Sequence, residues 1–119
     1  MTQIILPWPH KDLSPNARKH HLAIARHKAT AKAEAAALTR QAIGRDWTRP
    51  ERVVIDLRFC PPTAARRDLD NMLAAMKAAL DGVSLALGID DSEWGLSLRR
   101  CDPVKGGSVV VTVLADPQK

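Results

Sequence analysis

Four aspartates in two short runs are the side chains of this chain best suited to chemistry. Asp68 and Asp70 lie together with Asn71, and the pair Asp90-Asp91 follows about twenty residues later. Clustered carboxylates repel one another unless a cation neutralises them, and their hard oxygens suit Mg²⁺ or Mn²⁺. We therefore predict a metal site on these four aspartates, where an ion would activate water and stabilise a pentacovalent phosphate during in-line attack.

Each acidic run also has a purely structural interpretation. Asp68 or Asp70 could simply cap a helix, because aspartate is a favoured capping residue. In mid-helix the two side chains would point roughly 200° apart, whereas at a helix start both could converge on one ion. Acidic pairs such as Asp90-Asp91 are also common in turns. The spacing alone leaves both interpretations open.

The surrounding pattern predicts an α+β fold in which helices pack on a small mixed β-sheet, in β-α-β-α-β-β order. Strands are expected at 2–6, 52–60, 93–101 and 108–114, with Gly106-Gly107 as a hairpin turn between the last two. One helix should run from Ser14-Pro15 to about Ile43, where Gly44 stops it. A second should run from Asp68 to Asp81-Gly82, followed by a short apolar connector at 83–87. The length of 119 residues predicts a single domain, 1–119.

The net charge of +5 is concentrated in the first half of the chain. Residues 1–52 hold ten Lys and Arg against four Asp and Glu, whereas residues 53–119 hold eight against nine. A basic half beside an acidic half suggests that one half contacts phosphate and the other holds metal, although a solvated basic surface explains the same pattern. The predicted DNA-binding residues are basic side chains on the first helix, before the acidic run and before Gly106: Arg18, Lys19, Arg26, Lys32, Arg66, Arg67 and Lys105.

Several classes of protein are excluded by what the sequence does not contain. There is no glycine-rich nucleotide-binding motif and no apolar run near the ~20 residues that span a bilayer. The N-terminus does not look like a signal peptide, so a cytoplasmic location is expected. The four histidines include no i, i+4 pair, which argues against a helical zinc site. Cys60 and Cys101 are interpreted as reduced thiols.

These motifs, in this order, resemble the RusA-type Holliday junction resolvases of bacteria and their prophages. The run 67–71 (RDLDN) matches the family signature, and Asp90-Asp91 matches its later acidic pair. The segments 6–9 (LPWP), 14–18 (SPNAR) and 103–107 (PVKGG) resemble the end of its first strand, the start of its first helix and its last turn. The resemblance covers most of the chain.

Membership would imply a homodimer that resolves four-way DNA junctions by paired symmetric nicks, in recombination and repair, with Mg²⁺ or Mn²⁺. The essential carboxylates would be Asp68, Asp70 and Asp91. One position departs from the pattern, because the family commonly has a lysine where this chain has Ala74. Such a lysine would stabilise charge on the phosphate in the transition state, and Lys77 is our candidate substitute. Arg66 or Arg67 could also serve.

The departure at Ala74 keeps two alternatives open. One is a junction-binding protein that cuts weakly or not at all, which would show salt-dependent binding without a metal-dependent product. The other is a nuclease for different branched DNA, such as flaps or forks.

Overall fold

The computed structural model describes residues 2–18 and 20–116 and shows an α+β fold, as predicted. These residues form one four-stranded sheet, three α-helices and two single-turn 3₁₀ helices. The strands are β1 (Thr2–Pro7), β2 (Val53–Cys60), β3 (Trp94–Arg100) and β4 (Ser108–Ala115), and the helices are α1 (His21–Ile43), α2 (Leu69–Ala75) and α3 (Lys77–Leu87). The 3₁₀ helices are Lys11–Leu13 and Asp91–Glu93.

The sheet has the order β1-β4-β2-β3 and is mixed, because β3 runs parallel to β2 while the other pairs are antiparallel. The prediction of a hairpin between the last two strands is therefore wrong. After β3 the chain stays beside the end of β2, where the backbone N–H of Cys101 donates to Phe59 and that of Val104 to Pro61. It then crosses to the far side of β2, and Gly106-Gly107 turns it into β4.

The core lies between the sheet and the helices. Alternate residues of β2, including Ile55, Leu57 and Phe59, are fully buried and pack with Met76 and Val83 of the helical layer. The opposite positions of β2 include Asp56, which is buried among polar side chains instead. One face of β2 is therefore an apolar core and the other carries a buried charge.

Helix α1 begins later than the sequence suggested. Ser14 is not its cap but ends the 3₁₀ helix Lys11–Leu13, and its hydroxyl accepts a hydrogen bond from the N–H of Asn16. The cap of α1 is His20, whose Nδ1 accepts from the N–H of Leu22. The Ser-Pro signal was wrong because the side chain of Ser14 closes a local turn rather than a helix.

The second predicted helix is interrupted and then continues further than expected. α2 ends at Ala75 and α3 starts at Lys77, with Met76 between them. The predicted stop at Asp81-Gly82 is wrong, because Gly82 lies inside α3 and the true stop is Gly88, with φ of 73°. A Cβ on Gly82 would lie 2.2 Å from the carbonyl oxygen of Lys32, so this glycine permits close contact between α3 and α1.

The two cysteines are free thiols at the ends of two neighbouring strands. Cys60 is buried at the end of β2, and Cys101 is half-buried directly after β3. Burial raises the pKa of the Cys101 thiol, and the adjacent Cys60 raises it further.

Candidate functional site

One groove brings together three of the predicted catalytic side chains. Asp70 reaches it from the first turn of α2, Lys77 from the start of α3 and Asp91 from the 3₁₀ helix before β3. The rest of its lining is mostly apolar: Leu73, Ala74, Leu80, Trp94 and Leu96. We call it the acidic groove.

Within the acidic groove the two carboxylates are exposed to solvent. Asp70 Oδ1 accepts a hydrogen bond of 3.0 Å from the N–H of Asn71, which leaves its other oxygen for a ligand. Asp90, the neighbour of Asp91, is used differently, because it caps the 3₁₀ helix and accepts from both the hydroxyl and the N–H of Ser92. These two hydrogen bonds lower the pKa of Asp90. Asp90 is thus a capping residue, and Asp91 is the member of the pair that lines the groove.

Asp68 lines a second groove on the other side of α2. It is the N-cap residue of α2 by backbone position, yet its side chain makes no capping hydrogen bond to the described residues. The groove around it is lined by basic, aromatic and polar side chains, and we call it the basic groove: Trp8, His10, Lys11, Ser14, Arg66, Arg67, Asp68 and Asn71. Helix α2 therefore separates Asp68 from the groove of Asp70 and Asp91.

Lys77 and Arg67, the two candidate cations for a substrate phosphate, differ in how firmly the protein holds their side chains. Nζ of Lys77 lies 3.9 Å from Oδ1 of Asp81, one turn further along α3, and its side chain is 75% exposed. Such an exposed pair is weak, so Lys77 can exchange partners at little cost. Arg67 is held more firmly, because Nη1 donates to the carbonyl oxygens of Thr63 and Ala65 at 3.0 Å each. Its guanidinium carbon also lies 5.6 Å from the centre of the Trp8 ring, in the basic groove.

The remaining predicted DNA-binding residues are dispersed. Arg26 and Lys32 lie on α1, where Arg26 is exposed and Lys32 lines a third groove together with Lys77. Arg66 and Lys105 are exposed, the first in the lining of the basic groove and the second in the turn before β4. Arg18 precedes α1 instead of lying on it as expected, and Lys19 is outside the described residues.

A cluster that sequence reasoning missed lies at the edge of the basic groove. His10, Asp12 and His27 place one ligand atom each within 4.8 Å of one another, and they are the one such group of three found in residues 2–18 and 20–116. Asp68, Asp70 and Asp91 do not form such a group. His10 and Asp12 are two residues apart, a pattern that could have drawn attention, but His27 is brought to them only by the packing of α1.

Fold and grooves together define a small α+β protein with an acidic and a basic groove flanking one short helix. No protein-family model matches the chain. A protein of Xylella fastidiosa strain Temecula1, described as uncharacterized, is 38% identical over 122 residues, which cover all of this chain and 80% of that protein. This chain belongs to the same family as the Xylella protein. Among the described residues, no helix is long and apolar enough to cross a membrane.

Proposed function

We propose that this protein is a metal-dependent endodeoxyribonuclease of branched DNA, of the RusA type that its motifs resemble. The observation that supports this proposal best is the acidic groove. Asp70 and Asp91 come from different elements, twenty-one positions apart in the sequence, and share this groove with an exposed lysine. Aspartates that only cap a helix or form a turn would not need to lie in the same groove.

The donor set of the acidic groove fits Mg²⁺ or Mn²⁺. Mg²⁺ keeps several of its waters and is commonly held by one or two carboxylates plus substrate phosphate oxygens. Asp70 and Asp91 supply two such carboxylates in an open, solvent-exposed groove. When bound, the ion would activate a water molecule and offset charge on the leaving oxygen. Asp68, the third predicted ligand, lines the basic groove on the other side of α2, so we assign the ion to Asp70 and Asp91.

The side chains of the protein would position the substrate around this centre. Lys77 would leave Asp81 and bind a non-bridging phosphate oxygen, stabilising the charge that grows there. Arg66, together with Lys11, would contact phosphates of the adjoining DNA arm in the basic groove. A two-fold symmetric homodimer would present two acidic grooves to a junction of matching symmetry, so nicks would occur in pairs.

Cleavage of a synthetic four-way junction with Mg²⁺ or Mn²⁺ tests the proposal. Wild type should give paired symmetric nicks. Asp70→Asn and Asp91→Asn should each lower the cleavage rate at least about 100-fold, because losing a residue that only hydrogen-bonds to a metal ligand already costs 10–100-fold in metal affinity or activity. Asp46→Asn, an exposed aspartate outside both grooves, is the matched control. Equal cleavage by wild type and Asp70→Asn would refute the site.

A non-catalytic junction-binding protein is the second candidate, favoured by Ala74 and by the pairing of Lys77 with Asp81. Ala74 is exposed and lines the acidic groove, so a lysine there would place an ammonium group beside Asp70. If wild type binds junctions without cutting them, Ala74→Lys should produce metal-dependent cleavage. Rates on junction, fork and linear duplex in the same assay separate a resolvase from a nuclease for other branched DNA.

A further inference from the structure

The cluster of His10, Asp12 and His27 combines a buried carboxylate with two imidazoles. The side chain of Asp12 is only 9% exposed, and its Oδ2 lies 3.3 Å from Nε2 of His27 and 3.8 Å from Nδ1 of His10. Both distances exceed the 2.7–2.9 Å of a charge-assisted hydrogen bond. Within residues 2–18 and 20–116 no cationic group lies closer to Asp12, and a buried carboxylate without a close partner is costly, which makes a cation at this position favourable.

The two imidazole rings lie face to face, and one of them must turn for both to bind the same ion, because an imidazole nitrogen coordinates in the plane of its ring. They stack at 3.7 Å between centroids, with 15° between their planes, so their in-plane lone pairs do not yet converge on one point. The His10 side chain is 45% exposed, which leaves it room to turn. Nδ1 of His10 accepts a hydrogen bond of 3.1 Å from the N–H of Asp12. A bound ion would replace that N–H as the partner of Nδ1.

The spacing and the donor types select the class of ion. Two ligand atoms about 2.0 Å from a tetrahedral ion lie about 3.3 Å apart, which matches the separation of Asp12 and His27. Two imidazoles and one carboxylate suit Zn²⁺ and similar borderline ions, whereas Mg²⁺ prefers oxygen ligands alone.

We propose that His10, Asp12 and His27 bind Zn²⁺ through three protein ligands, separately from the Mg²⁺ or Mn²⁺ site of the acidic groove. The ion would join the segment that carries the Lys11–Leu13 3₁₀ helix to α1. That segment lies beside the basic groove, where His10 itself is part of the lining. Zn²⁺ would therefore stabilise the wall of the groove that holds Lys11, independently of any cleavage activity.

Zn²⁺ titration of the full chain, by competition with a chromophoric chelator, tests this site. Wild type should bind one Zn²⁺ per chain. Asp12→Asn and His27→Gln should each weaken Zn²⁺ binding at least about tenfold, since losing a residue that only hydrogen-bonds to a metal ligand already costs that much affinity. His21→Gln is the control, because His21 also stacks on another histidine, His20, at 4.4 Å but lies outside the three-ligand cluster.

Thermal unfolding gives a second measurement that does not depend on the first. Zn²⁺ should raise the melting temperature of wild type and of His21→Gln, and Mg²⁺ at the same concentration should not. Asp12→Asn and His27→Gln, once shown to be folded by circular dichroism, should show no Zn²⁺-dependent rise. Binding of equal strength in wild type and both ligand variants, or no binding by wild type, would overturn the proposal while leaving the cleavage proposal untouched.

Discussion

Asp56 shows at the scale of one residue how the sheet accommodates a buried charge. Its side chain is 7% exposed, and Oδ1 accepts a hydrogen bond of 2.5 Å from the hydroxyl of Ser97 on β3. Nη2 of Arg99 donates to Oδ2 at 3.3 Å, and Nε of Arg58 lies 3.6 Å from the same oxygen. The hydrogen bond from Ser97 is the largest single cause that lowers the pKa of Asp56 below its ordinary value of 3.8, and Arg99 and Arg58 lower it further.

The lowered pKa predicts a pH-dependent contribution to stability. A carboxylate whose pKa is lower in the folded than in the unfolded chain stabilises the fold above the unfolded value of 3.8, and this contribution is lost as the pH falls through the folded pKa. Asp56→Asn should therefore lower the free energy of unfolding by about 1.5–3 kcal/mol at pH 7, the range for hydrogen bonds to charged groups. Urea unfolding at pH 7 and again near pH 2 measures the difference.

At the lower pH the penalty of Asp56→Asn should shrink, because the carboxyl of the unfolded chain is protonated below 3.8 and the stabilisation that depends on its charge is reduced. Asp102→Asn, at an exposed position, should have little effect at either pH. An equal penalty for Asp56→Asn at both pH values would mean that the packing of the side chain matters, and not its charge.

Residue spacing could predict only part of the candidate site. Asp70 was expected at the start of a helix and Asp91 just before a strand, so the two could be predicted to lie close together. The structure places both in one groove. The separation of Asp68 from them could not be predicted from the sequence, because it depends on where α2 lies. The contact of His10 and Asp12 with His27 depends in the same way on how the 3₁₀ segment folds against α1.

At the scale of elements, the contact between α1 and α3 depends on Gly82. A Cβ there would lie 2.2 Å from the carbonyl oxygen of Lys32 and 3.0 Å from the backbone nitrogen of Ala36. Ala35 and Ala36 are buried in the same contact region, so these small residues of α1 serve packing within the chain. The proposed homodimer would therefore need another surface, and the sheet edges β1 and β3 are the candidates.

Gly82→Ala should destabilise the protein although alanine favours a helix. The propensity gain is about 1 kcal/mol, whereas forcing backbone apart in a packed region costs typically 1–3 kcal/mol. Because the contact here is with rigid backbone, we expect a net loss of about 1–2 kcal/mol, measured by urea unfolding. Gly82→Ser should cost more than Gly82→Ala.

A matched control for this prediction is Gly44→Ala. Gly44 has a φ of 67°, and a Cβ at this position would have no described heavy atom within 4 Å, so the cost of the substitution reflects backbone strain alone. Greater stability of Gly82→Ala than of wild type would show that the helices can separate freely.

Element type was easier to predict than element pairing. The β-strand alternation and the helix stop at Gly44 are local, and the structure confirms them. The order of strands is not local, because β4 lies between β1 and β2 through contacts distant in sequence. The wrong prediction at Gly82 has the same origin, since its close contact with Lys32 is a property of two packed helices. Glycine marks both a helix stop and a close helix contact, and spacing does not distinguish them.

For the whole molecule, charge and size bear on how DNA would be bound. The protein measures 40 Å along its longest axis, which corresponds to about twelve base pairs of duplex at 3.4 Å each. The first 52 residues carry the excess of positive charge. Lys11 of that half lies with Arg66 and Arg67 of the other half in the lining of the basic groove. The two grooves that flank α2 would therefore put the proposed phosphate-binding surface beside the proposed metal centre.

This arrangement predicts binding that depends strongly on salt and on particular arginines. Affinity for a four-way junction should fall steeply between 50 and 200 mM salt, since each neutralised phosphate adds about 0.9 to the slope of log affinity against log salt. Arg66→Gln should reduce that slope by about 1, because Arg66 lines the basic groove.

Arg45→Gln removes the same charge from an exposed position outside both grooves and should leave the slope nearly unchanged. Equal slopes for the two variants would mean that the net charge attracts DNA without a defined contact surface, and the assignment of the basic groove to a DNA arm would then be wrong.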